Sequence, residues 1–368
     1  MPRHWLIVTE SYHKRPRNHE MSPQIRIAVK QPTAEKLRRP LSRKAAAPLI
    51  LILMLFGGPV SRVLRADEAA AATNARLPAN EREMRFWLQN MSWYHHFTLA
   101  EMMAATGLSR QTITAALKRW DIRPETRPKR PADAGLLVIP YPGGRHPRIG
   151  FREGAVRPQR ETKASIFTPW DDASYVVLDV PEAIWSSDGL LYLAHTHIDT
   201  IWDKQGIKLK PLEWQRHENG RLNLTRTLPS GVEFTSRLRP DGDVLWMEMT
   251  LANHSHEGLS DLRVQNCVML AGCKGFTAQT NDNKVFRKPY AAGSNVRGDR
   301  WVIVAWEPCH RAWGNARCPC LHSDPKFPDC PPGESRRVFG RLSFYEGTNL
   351  DAELDRIDAT GWRQARGH

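Results

Sequence analysis

The sequence predicts a mainly β protein: an antiparallel β-sandwich preceded by a small module of three helices. Two observations predict it. Between residues 136 and 345, ten short runs with strand periodicity are separated by Gly, Pro, Asn and Asp turns. No helical pattern of comparable strength interrupts them until 351–357, and many short strands without alternating helices build antiparallel layers rather than a parallel sheet. Ahead of them, residues 81–122 carry apolar positions at three-and-four spacing, the period of a helix face. The 368 residues are enough for two or three domains and a substantial core.

The chain opens on a basic leader. The formal net charge is +14, and the first 65 residues, with 13 Lys/Arg against 3 Asp/Glu, hold +10 of it. The remainder is too nearly neutral to argue for nucleic acid as a partner. The run holding Arg26, Lys30, Lys36, Arg38, Arg39, Arg43 and Lys44 is followed by an apolar stretch at 45–60 containing Pro48 and Gly57-Gly58. Sixteen residues are short for a bilayer span of about 20 and fit a signal-peptide hydrophobic region. Residues 1–66 are therefore expected to be leader and signal, with Met21 an alternative start and cleavage near Ala66. The body is then extracytoplasmic, periplasmic or secreted, with no stable membrane span; an uncleaved anchor is the alternative. Residues 67–80 read as a tether.

In the module, Met84, Trp87, Leu88 and Met91 share one helix face. Thr98 with Glu101 three residues on forms a capping-box pattern, Gly107 is a stop, and Ser109 opens a third helix carrying Ile113, Leu117 and Trp120. The two dozen residues from Phe97 to Trp120 resemble the helix-turn-helix of bacterial transcription regulators at Gly107, Leu108, Ser109, Thr112 and Ile113, and depart from it at Met103. The resemblance implies a helix-turn-helix fold. Arg110, Lys118 and Arg119 make its third helix only modestly basic, so a packing or protein-docking role is expected over DNA binding. Residues 123–134, rich in proline, read as a semi-rigid linker.

The sandwich is expected over 135–362, with strands at 136–139, 164–167, 175–180, 190–194, 222–227, 232–238, 244–251, 262–270, 301–306 and 338–345. Pro240-Asp241-Gly242-Asp243 has the composition of a hairpin turn between two alternating strands. The run from Gly231 through Val264 resembles a strand-turn-strand of galactose-mutarotase-like supersandwich domains and other carbohydrate-handling sandwiches. Where those epimerases place a histidine, this chain reads Gln265-Asn266-Cys267-Val268-Met269. The whole layout resembles that of bacterial exported proteins.

Chemistry is expected first at His195 and His197. On an extended chain both imidazoles face one side, where they could hold a divalent metal as the one cofactor the motif admits, or serve as acid/base without metal. A structural pair of histidines is the third reading. Glu161 and Asp203 complete the catalytic candidates, as partners in epimerase, lyase or hydrolase chemistry. Ligand-binding candidates are Arg145 and Arg148 beside Gly143-Gly144, Trp202 as a stacking platform, Asn281, Asp282 and Lys284 in a polar connection, and Glu307. Of the six cysteines, Cys309, Cys318, Cys320 and Cys330 fall in a Pro-rich loop at 309–330. Their spacing does not match paired Cys-x-x-Cys zinc knuckles, and an oxidising compartment favours disulfides. No Walker loop, dinucleotide fingerprint, nucleophile elbow or His-Glu-x-x-His is present. The expected function is binding, with or without processing, of a carbohydrate or similar polar ligand. The alternatives are a cell-envelope scaffold docking a protein through 81–122, and a DNA-binding protein should the leader not direct export.

Overall fold

The structure, a computed structural model, describes residues 75–131, 134–148, 160–194 and 198–364. The leader, the cleavage site, and His195 and His197 lie outside the described residues. Among the described residues no helix is long and apolar enough to cross a membrane.

Helix α1 (Glu81–Gln89) starts where the Asn80 side chain accepts a bond from Glu83 N–H at 3.0 Å. It runs into a wider π turn at Asn90–Tyr94. Helix α2 (Leu99–Thr106) opens with a complete capping box: Thr98 N–H donates to Glu101 Oε2 at 2.7 Å, and Glu101 N–H donates to Thr98 Oγ1 at 3.3 Å. Gly107 closes it at φ +71°, the left-handed conformation glycine adopts at least cost. Ser109 caps α3 (Arg110–Arg119). Trp87, Leu88, Met91, Phe97, Met102, Ala105 and Ile113 form the core of these helices.

The strands are β1 (Val138–Pro140), β2 (Lys163–Phe167), β3 (Tyr175–Ser186), β4 (Gly189–Leu193), β5 (Gln215–Arg216), β6 (Leu222–Thr227), β7 (Val232–Asp241), β8 (Val244–Asn253), β9 (Arg263–Met269), β10 (Lys284–Arg287), β11 (Tyr290–Ser294), β12 (Arg300–Glu307), β13 (Cys309–Trp313), β14 (Cys320–Pro325) and β15 (Ser335–Glu346). One antiparallel sheet is ordered β1-β2-β3-β9-β14-β13, with β4 on β3; the other is β10-β11-β12-β15-β8-β7-β6-β5. Their facing sides share one core, in which Val176, Leu178 and Val268 of the first sheet meet Phe234, Met247, Met249, Val304 and Leu342 of the second. This is the antiparallel sandwich, mainly β, that the strand pattern predicts.

All ten expected strands are present. Five strands lacked a sequence signal: β5 is two residues long, β10 and β11 are short, and β13 and β14 lie within 309–330, where the prolines and cysteines suggested a loop. The outer faces are covered unequally. Tyr94 packs with Tyr141, Phe167, Tyr175 and Val177 on the outer side of the first sheet. Helix α4 (Leu350–Ala359) buries Leu350, Leu354 and Ile357 against Tyr290, Ala292, Ile303 and Ala305 of β11 and β12. Among the described residues the outer side of β6, β7, β8 and of β15 as far as Phe339 is left open, whereas Arg341 and Ser343 further along β15 are buried.

The expected disulfides are not formed. All six cysteines are buried free thiols. Cys309 Sγ faces Ser323 Oγ at 3.7 Å, and Cys330 donates to the Glu334 carbonyl at 3.3 Å. Cys318 and Cys320 instead cluster with Cys267 of β9. The strand pairing of β14 with both β13 and β9 does the holding that staples were expected to do.

Candidate functional site

Strand alternation builds a cleft on the open outer side. In β8, Leu245, Met247, Met249 and Leu251 point into the core, which sends Trp246, Glu248 and Thr250 outward. Pairing aligns the neighbours. Asn223 of β6 lies opposite Arg237 of β7, Arg237 opposite Glu248, and Glu248 opposite Phe339 of β15. The next outward row is Arg239, Trp246 and Arg341. The cleft above these rows has a volume of about 630 Å³, and His217, Arg221 and Trp362 also line it.

Arg237 pairs with Glu248 and donates to Thr250 Oγ1 at 3.3 Å. Arg239 holds Asp241 at 3.0 Å, and Asn223 donates to His217 Nε2 at 3.0 Å. Beneath Trp246 the buried Arg341 lies 5.8 Å from the ring centroid, and its Nε–H has no hydrogen-bond partner among the described residues. Burial holds the Arg341 pKa below its ordinary value. Three arginines against two carboxylates line the cleft and leave it net positive. Flat rings beside fixed donors and acceptors are the composition of a pocket that orients a polar ligand with apolar faces.

The described residues singled out in the sequence have partners of their own. Glu161 Oε1 accepts from Arg226 Nε at 2.8 Å and Tyr192 OH at 3.1 Å, while Oε2 accepts from Leu212 N–H at 3.0 Å, so both oxygens tie the 212 segment to β6. Asp203 caps its own turn, accepting from Thr200 N–H at 2.9 Å and Thr200 Oγ1 at 2.7 Å. Arg145 makes a forked bond to Glu101, Nε at 2.6 Å and Nη2 at 3.0 Å, joining the helices to the sandwich. Burial works against each charge here, but the pairing outweighs it: Glu101 stays below its ordinary pKa and Arg145 above its own. Arg148 donates to the Arg317 carbonyl at 2.6 Å. Trp202 is a core residue whose Nε1–H donates to the Leu191 carbonyl. Asn281 and Lys284 bond each other and the 314–318 segment, Asp282 sits in the exposed turn between them, and Glu307 ends β12. The described members of the expected constellation thus have separate partners rather than one shared cleft. The cleft residues carried a signal, namely the outward positions of the best-patterned hairpin, but nothing local marked that face as open.

A second group could hold a metal: Cys267, Cys320 and His322, whose ligand atoms all lie within 4.8 Å of one another.

No protein-family model matches the chain, and no curated protein matches it in sequence. Among solved structures it is similar to the Slr1438 protein of Synechocystis sp. PCC 6803 at 12% identity, over 60% of this chain and 97% of that one, with a TM-score of 0.31. A protein of Escherichia coli K12 named as a candidate aldose 1-epimerase aligns at 13% identity over 48% of this chain and 84% of its own, TM-score 0.30. The heparan sulfate lyase HepC of Pedobacter heparinus aligns at 10% identity over 65% of this chain and 40% of its own, TM-score 0.29. At these scores the likenesses carry no argument about family, substrate or reaction.

Proposed function

We propose that the protein binds a saccharide in the cleft over β6, β7, β8 and β15, and that an acidic saccharide is favoured over a neutral one. One observation carries this reading: the outward rows set Trp246 and Phe339 beside Arg237, Arg239, Glu248 and Asn223 in a single cavity. The C–H face of a pyranose is weakly positive and lies well on the negative face of an aromatic ring. Its hydroxyls both donate and accept, which suits Glu248 as acceptor, the guanidinium groups as donors and the Asn223 amide as both. The excess of arginine supplies the preference for carboxylate or sulfate substituents, because the planar guanidinium fork matches their oxygens.

The test is calorimetric titration with neutral, uronate-containing and sulfated oligosaccharides. Wild-type protein is expected to bind an acidic member most tightly. Trp246→Ala should weaken binding roughly 3- to 10-fold, the equivalent of about 0.5–1.5 kcal/mol for one lost aromatic contact. Arg237→Ala should narrow the difference between acidic and neutral ligands. Binding that is indifferent to both substitutions, or absent for every saccharide class, removes the proposal.

A further inference from the structure

The Cys267, Cys320 and His322 group is assembled by strand register. Cys320 pairs with Met269 and Leu321 with Val268, so the antiparallel ladder brings His322 level with Cys267. Leu321 and Val268 point into the sandwich core. Alternation therefore turns Cys320 and His322 of β14, and Cys267 of β9, to the other side together. All three are buried. Cys318, on the other side of Pro319 from Cys320, brings a third thiol into one cluster with Cys267 and Cys320 and approaches Met269 Sδ at 3.9 Å.

The surroundings orient the histidine for ligation. His322 Nδ1 lies 2.8 Å from the Asn266 carbonyl oxygen, which only accepts, so Nδ1 carries the proton. Nε2 is left with its lone pair facing Cys320 Sγ at 3.3 Å. A ligating imidazole with its far N–H on a backbone carbonyl is the arrangement that fixes tautomer and ring direction at metal centres. The ring is also clamped: Trp313 stacks on it at 4.1 Å with 12° between planes. Trp313 Nε1–H in turn donates to the buried Asp324 at 2.6 Å, which also accepts from Asn266 N–H at 3.1 Å and Arg311 Nε at 2.8 Å. The Cys318 segment is held independently. Lys284 Nζ donates to the Cys318 carbonyl at 2.9 Å, the Asn315 carbonyl at 3.0 Å and Asn281 Oδ1 at 3.1 Å.

We propose that Cys267, Cys318, Cys320 and His322 form a tetrahedral Cys3His site for Zn²⁺, joining the 314–320 segment to the centre of the first sheet. With zinc–sulfur bonds of about 2.3 Å and zinc–nitrogen bonds of about 2.0 Å, tetrahedral ligand atoms stand about 3.5–3.8 Å apart. The Cys267, Cys320 and His322 ligand atoms, all within 4.8 Å of one another, stand near that spacing, and Cys318, in the same cluster but outside that group, closes onto the metal as the fourth ligand by moving toward the other three. Four protein ligands in a buried setting make the site structural, with no position open to a substrate.

The test is elemental analysis of the full chain purified under reducing conditions without chelator, with the result expected to be one zinc per chain. Replacing zinc by Co²⁺ should produce thiolate-to-cobalt charge-transfer absorption and the intense visible bands of a tetrahedral thiolate site. Cys267→Ser, Cys320→Ser and His322→Asn should each lower bound metal at least tenfold, and Cys318→Ser should change the cobalt spectrum. Cys309→Ser and Cys330→Ser should leave both readouts unchanged. If the ligand variants fail to fold, wild-type cobalt titration decides alone. Protein that takes up neither Zn²⁺ nor Co²⁺, a Cys267–Cys320 disulfide in non-reducing peptide maps, or loss of metal only in the Cys309 and Cys330 variants would overturn the assignment.

Discussion

His95 has both ring nitrogens engaged, Nδ1–H on the Asn90 carbonyl at 3.2 Å and Nε2 accepting from Ser165 Oγ at 2.7 Å. The rings of Phe97, Tyr141, Phe167 and Tyr175 surround it. Burial is the main cause that lowers its pKa from 6.5 to about 3, with the nearby Arg145 charge adding to it against the Asn90 bond. Between those two values the unfolded chain binds a proton that the folded chain refuses, so stability falls as pH falls. The slope from this one group is about 1.4 kcal/mol per pH unit below 6.5. Urea midpoints measured between about pH 5 and pH 7 should show it, and His95→Gln should flatten the dependence in that window. An unchanged slope in the variant would assign the acid sensitivity to other groups. The same residue scale shows what the described candidates are bonded to. Glu161, Arg145, Trp202 and Lys284 stood out as polar or aromatic side chains in patterned segments, and the structure ties each to its own chain, Trp202 and Lys284 buried, Glu161 and Arg145 half-buried. A sequence does not distinguish a charge that meets a ligand from one that meets its own chain, because both need the same donors.

At the scale of elements, the β7–β8 hairpin was the most legible feature. Asp241 pairs with Val244 around a two-residue loop, with Gly242 at φ +59°. The turn composition and the period-two alternation that mark it lie within twenty residues. The helix caps at Thr98, Gly107 and Ser109 are local in the same way. The contact of α2 with the loop after β1 is different in kind. Gly144 has φ +71°, and a Cβ there would stand 2.5 Å from Ala105 Cβ and 2.9 Å from the Glu101 carbonyl oxygen. Gly144→Ala is expected to cost at least about 2 kcal/mol, from backbone strain together with the displacement of α2. Denaturant titration measures it, and a near-neutral result would mean that this helix is not seated as described.

For the molecule as a whole, helices and sandwich are joined by buried and half-buried polar contacts. Besides the Arg145–Glu101 fork, Asn90 Nδ2 donates to the Pro140 carbonyl at 2.9 Å. The Arg160 guanidinium lies 3.3 Å from the Trp87 ring centroid, and Arg216 stands over Phe86 while pairing with Glu83. The parts should therefore unfold in one transition. Glu101→Ala removes the capping box and the carboxylate partner of the half-buried Arg145, which keeps the His95 carbonyl, a loss of about 2–3 kcal/mol. Calorimetry of that variant is expected to show the helices melting ahead of the sandwich, and a single unshifted peak would refute the coupling.

The sequence by itself determined what neighbouring residues decide: ten strands, the caps, the hairpin and the antiparallel sandwich they imply. Each rests on periodicity or turn chemistry within a short window. Only the tertiary structure decided which outer face stays open, and so where a ligand has room. It also brought Cys267 level with His322, 55 positions on in the chain. Strand alternation says that a side chain faces one of two sides, but register between distant strands and the placement of covering helices come from packing the whole core.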